Sequence, residues 1–371
     1  MSIDHGTRSS VKVSVWAASH RGARPEPRPS NSGGVLAARG VQFQQQDGYS
    51  RASRGVHVDW RVKGLVQGML VRVPGGMSIN SLLQRTLGAR RRMREHVDSK
   101  VVDDWLVHVA HLRELGFGLE DRFLVEVGTG WLPVFPLCFS LAGVARCRTY
   151  DLNRHLKPGM VRQTLLHLER HLSAIASATG GAEDRVRDRF ARLASQGSPD
   201  DLLREAGIEY VAPGDATRTA LPARSVDLVL SNSVLEHVPS AVIDALMVET
   251  RRILKPGGVA IHGVNCGDHY AYFDGRISPI HYLRFSERQW RRWNNEILYQ
   301  NRLRPPDFLD AARRAGLRVV LDRHRARPEL LERLPELPID ERFRAYPPEE
   351  LCCTSIDFAV TTEDGHAAGA P

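Results

Sequence analysis

From Phe123 onward, short apolar runs alternate with segments of helical period. The runs "FLVEVG" (123–128), "CRTYDL" (147–152), "IEYVAP" (208–213), "VDLVLSNSV" (226–234) and "GVAIHGVN" (258–265) have the length and β-branched content of strands. "LRVVLDRH" (317–324) and "LCCTSIDFAVTT" (351–362) follow near the end. Strands alternating with helices predict a parallel α/β sheet. The crossover 153–207 is too long for a simple connection. Its Val161, Leu165, Leu168, Leu172 and Ile175 recur at steps of four and three, so it reads as an inserted helical lobe.

Upstream, "WRVKGLVQGMLVRVPGG" has the alternation and glycine punctuation of short strands or a loop. "SINSLLQRTLGARRRMREHV" and "KVVDDWLVHVAHLRELG" predict helices; in the second, Val102, Trp105, Leu106, Val109 and Leu112 fall on one face. Residues 1–56 mix Ser, Gly, Pro, Arg and Gln without sustained period and read as a disordered tail, as do residues 363–371. The predicted organisation is a helical cap over 57–121 and an α/β domain over 122–362, with helical insertions at 153–207 and 266–305.

One run resists this pattern. Val127 to Ala145 is 19 residues without a charge, the length of a membrane span. Pro133, Pro136 and its glycines would break a spanning helix, and charged sequence flanks it, so burial in protein is expected. Composition agrees: 42% hydrophobic and 25% charged residues are ordinary globular values. Of the net charge of +8, residues 1–60 carry +4 (eight Lys/Arg less four Asp/Glu), which leaves little basic excess for a folded nucleic-acid surface. The run Arg90, Arg91, Arg92 and Arg94 reads as a solvated helix face. Five cysteines without C-x-x-C spacing fit neither a disulfide framework nor a zinc site. A cytoplasmic protein without membrane attachment or metal is expected.

The candidate chemistry begins at "EVGTGW". A strand ending in Glu126, then Gly128-x-Gly130, then a helix start is how an open α/β sheet builds a ligand crevice at its carboxyl edge. The glycines allow close backbone approach. The third glycine of a dinucleotide fingerprint is missing, since Pro133 stands there, so a ligand without a pyrophosphate is expected. Asp151, 21 residues beyond Gly130, is spaced to accept from both hydroxyls of a ribose. Asp215 follows the third strand, where it could accept from an exocyclic amine.

Taken in order, "EVGTGW", "YDLN", "GDA", "VDLVLSNSVLEHV" and "LKPGG" resemble a class I S-adenosylmethionine-dependent methyltransferase of the type 11 group. The resemblance covers roughly 122–265 by motif. It implies a seven-stranded, mostly parallel Rossmann-like sheet whose last strand runs antiparallel. It also implies S-adenosylmethionine as cofactor: Glu126, Gly128 and Gly130 would hold its methionine part, Asp151 its ribose, Asp215 and Ala216 its adenine. Asn232 and Ser233 would line the methyl-donor site. Leu132 departs from the pattern, standing where many members have a third glycine.

Methyl transfer is an in-line displacement, so alignment is the main task, and a hydroxyl acceptor gains from a nearby base. His237 in "LEHV" is the best-placed candidate, with His269 and His281 as rivals. The segment 266–305, after the fifth strand, would form an acceptor-side lid. Its Tyr270, Tyr272, Tyr282 and Trp290 offer aromatic walls, and Arg284 an anchor for an anionic group. The expected activity is O-methylation of a small molecule or glycan. A catalytically inactive methyltransferase-like binding or assembly protein and an RNA methyltransferase are the alternatives.

Overall fold

Seven strands form one sheet: β1 (Phe123–Val127), β2 (Arg146–Tyr150), β3 (Ile208–Val211), β4 (Val226–Asn232), β5 (Leu254–Asn265), β6 (Leu317–Ala326) and β7 (Cys353–Thr362). Their order is β3-β2-β1-β4-β5-β7-β6. The first five are parallel; β7 runs antiparallel between β5 and β6. Strand order reverses at β1/β4, which opens a crevice at their carboxyl ends. The chain divides into Met1–Gln45 and Gln46–Pro371. The structure, a computed structural model, describes residues 59–72, 89–295 and 299–362, all in the second unit. The expected tails and the first part of the 78–97 helix lie outside the described residues.

Helices α1 (Trp60–Arg72), α2 (Ala89–Ser99) and α3 (Leu106–Glu114) precede the sheet, and a π-helical turn, Lys100–Trp105, joins the last two. Next comes α4 (Val134–Ala142). The long crossover folds as α5 (Pro158–Leu168), α6 (Leu172–Thr179), α7 (Glu183–Ala194) and α8 (Pro199–Glu205), and its five spaced apolar residues are all buried. One sheet face packs under α3, α4 and this lobe. The other packs under α9 (Ser240–Ile253) and α10 (Pro305–Arg314).

The uncharged run is explained by α4. Strands cover one side of it, and the lobe and the π turn cover the other, so Val134, Phe135, Leu137, Cys138, Phe139 and Leu141 are all buried. Pro133 is the N-cap and Pro136 lies in the first turn, where N–H groups have no intrahelical acceptor to lose. No helix among the described residues is long and apolar enough to cross a membrane.

Two expectations are corrected. Residues 60–72 form a helix, not strands or a loop. Trp60, Gly64 and Gln67, four and three apart, are its buried face, while Val62, Leu65, Val66 and Met69 face outward. The second correction concerns the helix before β1. Its buried apolar residues are Val101, Trp105, Val109 and Leu112, and Val102 is 50% exposed. The π turn inserts an extra residue and rotates the apolar stripe.

A third core forms beside the sheet. Trp60 of α1 meets Trp293 (ring centroids 4.7 Å apart), His281 (4.9 Å) and Tyr270 (5.8 Å), with Tyr282, Trp290 and Phe343 behind them. The aromatic segment after β5 therefore binds the N-terminal helix to the domain.

Candidate functional site

After β1 the chain turns through Gly128 (φ +83°) and Gly130 (φ +70°), left-handed conformations that glycine adopts without strain. The Gly128 N–H donates to the Tyr150 carbonyl at 2.8 Å, which holds the turn against β2. A Cβ at Gly128 would collide with the Val234 side chain, whereas one at Gly130 would meet nothing within 4 Å. The space in front of Gly130 is open.

Asp151 ends β2 and is buried. Its Oδ2 accepts from the Gly130 N–H at 3.1 Å and from the Tyr210 hydroxyl at 2.9 Å; Oδ1 has only a 3.4 Å approach from Gly130. Burial pushes its carboxyl up, and those hydrogen bonds pull it back. Tyr210, on β3, also accepts from the His155 and Leu156 amides and so fixes the loop after β2. Nothing in the sequence order marks Tyr210 for this.

Glu126 lies buried on β1 and accepts from Thr149 Oγ1 at 2.7 Å and Thr129 Oγ1 at 3.1 Å. Burial pushes its carboxyl up to about 7 against the pull of the two hydroxyls. Across the crevice, Asp215 is exposed and accepts from the Thr217 N–H (2.9 Å) and hydroxyl (2.7 Å), with Ala216 half-buried beside it. Leu152, next to Asp151, and Trp131 are exposed apolar side chains at the same edge.

At the end of β4, Ser233 takes φ +55°, a left-handed conformation that costs a non-glycine residue about 1 kcal/mol. Its N–H donates to the Gly263 carbonyl at 2.9 Å. This joint aims Val234 at Gly128 and turns Leu235–His237 into a short 3₁₀ helix. Asn232 Nδ2 donates to Asp104 at 3.0 Å, and Lys100 Nζ pairs with Asp104 at 3.0 Å. The π turn thus roofs the ends of β4 and β5. His108 from the same roof is buried against Gly263, and neither ring nitrogen has a partner. Lys100, Asp104 and His108 have no sequence motif; only the π turn brings them here.

Glu236, His237 and His269 converge, each offering one ligating atom within 4.8 Å of the other two. Both Glu236 oxygens are buried without a hydrogen bond of ordinary geometry, and so is His269 Nε2. Burial pushes the Glu236 carboxyl up to about 8, while its own amide, Lys100 and the Asn265 amide pull it down. Burial first, then His237 and Lys63, hold His269 down at about 3. His237 Nδ1 is 2.7 Å from the Tyr299 carbonyl, so that nitrogen carries the proton and Nε2 keeps its lone pair. Tyr272 packs its ring on His269, centroids 5.2 Å apart, and Asn265 Nδ2 bonds the Tyr272 hydroxyl.

The remaining aromatic and basic residues of 266–305 sit elsewhere. Tyr270, Tyr282 and Trp290 are buried in the third core, donating to the carbonyls of Trp293, Cys266 and Gln300. His281 faces Asp268 at 3.3 Å and Trp60, and Arg284 is exposed over Phe285. Arg302 and Arg304 are fully buried and donate to backbone carbonyls, the latter to those of Cys266, Glu350, Leu351 and Cys353. Inward packing of flat rings explains why an aromatic-rich lid sequence does not line the crevice.

The strand order with its antiparallel final pair, and the glycine turn facing an acid one strand over, define the class I S-adenosylmethionine-dependent methyltransferase fold. Residues 187–262, from within α7 into β5, match the methyltransferase domain family. That match begins after the Gly128–Gly130 turn. No curated protein matches the sequence. Among solved structures, an S-adenosylmethionine dependent methyltransferase from Mesorhizobium loti is 17% identical, covering 69% of this chain and 99% of its own, with a TM-score of 0.37. A magnesium protoporphyrin IX methyltransferase from Synechocystis, with bound S-adenosylhomocysteine, is 12% identical over 73% of this chain and 86% of its own, with a TM-score of 0.38.

Proposed function

We propose that the chain is an S-adenosylmethionine-dependent methyltransferase acting on a hydroxyl of a small molecule or a glycan end. The donor supplies an electrophilic methyl group on a sulfonium. The residues present fit it: open space at Gly130, a buried Asp151 with Oδ1 lone pairs to spare for sugar hydroxyls, and a second buried acid at Glu126. In this reading Glu126, Gly128 and Gly130 hold the methionine part and Asp151 the ribose. Asp215, Ala216 and the exposed Leu152 hold the adenine, and Asn232 and Ser233 line the donor site.

The observation that carries the choice of a hydroxyl is the convergence of Glu236, His237 and His269 at the ends of β4 and β5. A hydroxyl is a weak nucleophile and gains from groups that draw off its proton; an already nucleophilic amine would need no such cluster. The roof supports the choice of a small acceptor. Asp104 is hydrogen-bonded to Asn232, which sets the π turn beside the end of β4 and supports a compact acceptor. Tyr272 gives it an aromatic wall. Tyr270, Tyr282, Trp290 and His281 then support the lid rather than touch the acceptor.

The test is a screen of phenols, hydroxy acids and sugars with labelled donor, with the product's methyl position assigned by mass spectrometry. An O-methyl product supports the reading. An N- or C-methyl product overturns it, and donor binding without turnover on any acceptor favours the binding or assembly alternative.

A further inference from the structure

Glu236, His237 and His269 have the composition of a metal site as well as of a proton relay. We propose that these three side chains bind one divalent transition-metal ion, with the acceptor's oxygen completing its coordination. The inference rests on the acceptor-site reading above and deepens it.

Four observations carry it. One ligating atom from each of the three residues lies within 4.8 Å of the other two. Glu236 and His269 are nine-tenths buried or more, yet both Glu236 oxygens and His269 Nε2 lack a hydrogen bond of ordinary geometry. Buried polar atoms are rarely left so, and a cation answers all three at once. His237 donates Nδ1–H to the Tyr299 carbonyl at 2.7 Å, which leaves Nε2 as the free donor. A metal-binding histidine is commonly held in this way, its second nitrogen anchored on a backbone carbonyl. Finally, His237 is exposed at the rim, so one side of the cluster is accessible from the crevice.

Two imidazoles and one carboxylate suit Zn²⁺, Fe²⁺, Co²⁺ or Mn²⁺ better than Mg²⁺ or Ca²⁺, which prefer oxygen ligands throughout. Bonds of about 2.0–2.2 Å require the three donors to draw closer by roughly 1 Å, a movement the exposed His237 can make. Lys63 acts on His269 and Lys100 on Glu236; both cations oppose metal binding, and Asp104 beside Lys100 offsets part of that. Burial holds the Lys63 ammonium at about 7, so much of this opposition is lost by mild alkaline pH. An acceptor hydroxyl bound to the ion would release its proton to solvent and present an oxyanion to the methyl group, with no metal redox change.

The experiment uses the full chain, treated with chelator, dialysed and titrated with Co²⁺ and Zn²⁺. Donor binding is measured on the same samples by calorimetry. The expected result is one Co²⁺ per chain with visible d–d absorption, displaced by Zn²⁺. Glu236→Gln and His269→Ala should each weaken Co²⁺ binding about a hundredfold or more with donor affinity unchanged, which also shows that the variants fold. A second cluster, His324, Glu350 and Cys353, could hold an ion instead; His324→Ala separates the two. Absence of Co²⁺ binding, or binding lost in His324→Ala but kept in Glu236→Gln, overturns the proposal. Either result leaves the methyltransferase reading standing if donor binding and O-methylation persist in chelator. Failure to bind donor would instead strike the cofactor assignment.

Discussion

The backbone N–H of Gly130 stands 3.1 Å from Oδ2 of Asp151, joining the turn after β1 to the acid that ends β2. The two are 21 residues apart in sequence, yet parallel pairing from Phe123↔Arg146 to Val127↔Tyr150 delivers both to one edge of the sheet. A carboxylate buried there, with one oxygen nearly free, is poised for a ligand with neighbouring hydroxyls.

Asp151→Ala should therefore weaken S-adenosylmethionine binding by about 10- to 100-fold, the worth of charge-assisted hydrogen bonds to a ligand. Tyr210→Phe removes one support of the same carboxylate and should cost less, about threefold to tenfold. Isothermal titration of both variants checks the order. Equal affinities for wild type and Asp151→Ala would remove Asp151 from the site.

The crevice was legible in the sequence because strands and glycine turns follow local rules. Gly128, Gly130 and Asp151 sit at strand ends that short β-branched runs define, and the resemblance carried over because those positions fix backbone geometry. The roof was not legible. α1 turns Gly64 and Gln67 inward and its aliphatic residues outward, which inverts the usual amphipathic signal. The π turn moves burial from Val102 to Val101, so a strict helical period misplaces Asp104 and His108 as well. The aromatics after β5 were visible as a cluster, but composition cannot say which way a ring faces. Tyr272 meets the crevice; Tyr270, two residues earlier, lies in the core.

Gly128 and Gly130 should respond differently to the same substitution. Gly128→Ala combines a left-handed backbone with a collision against Val234, so a stability loss of about 2–4 kcal/mol is expected. Gly130→Ala has the backbone cost alone, about 1–2 kcal/mol, but its methyl group projects into the open space and should reduce donor affinity. Adding Val234→Ala to Gly128→Ala should recover part of the loss. Denaturant melts of wild type, Gly130→Ala, Gly128→Ala, Val234→Ala and the double variant decide the matter, and additivity between Gly128 and Val234 would contradict the contact.

Donor affinity should rise with pH through about 7. Burial holds Glu126 near that value in the free protein, so below it the carboxyl is largely protonated. The amino group and sulfonium of the donor favour the ionised form, and binding at pH 6 must first release the proton. The expected change is about threefold to tenfold tighter binding from pH 6 to pH 8. Glu126→Gln should bind more weakly and flatten this dependence. A wild-type affinity constant across that range would show that Glu126 does not sense the ligand.

Asp104 links the roof to the site through Asn232, and the two sides of the crevice should separate kinetically. Asp104→Ala removes the ion pair to Lys100 and the hydrogen bond from Asn232, loosening the π turn over β4 and β5. A higher KM for the acceptor, about fivefold to twentyfold, is expected with little change in donor affinity. The reverse pattern would mean that Asp104 serves the cofactor side.

His324 gives the fold an alkaline weakness far from this chemistry. On β6 it lies 2.6 Å from Asp322 and 3.2 Å from Glu350, and the two carboxylates push the imidazole up to about 10 against partial burial. A folded pKa above the unfolded value of about 6.5 means that the imidazolium contributes its full stability below pH 6.5. Between 6.5 and 10 the unfolded chain releases the proton first, so stability falls, and above 10 the contribution is gone. Because the ring and both carboxylates are partly open to solvent, the loss should be about 1–2 kcal/mol. Wild type should thus lose Tm between pH 7 and pH 10 more steeply than His324→Gln, the curves converging at the alkaline end. Parallel curves would place the charge elsewhere.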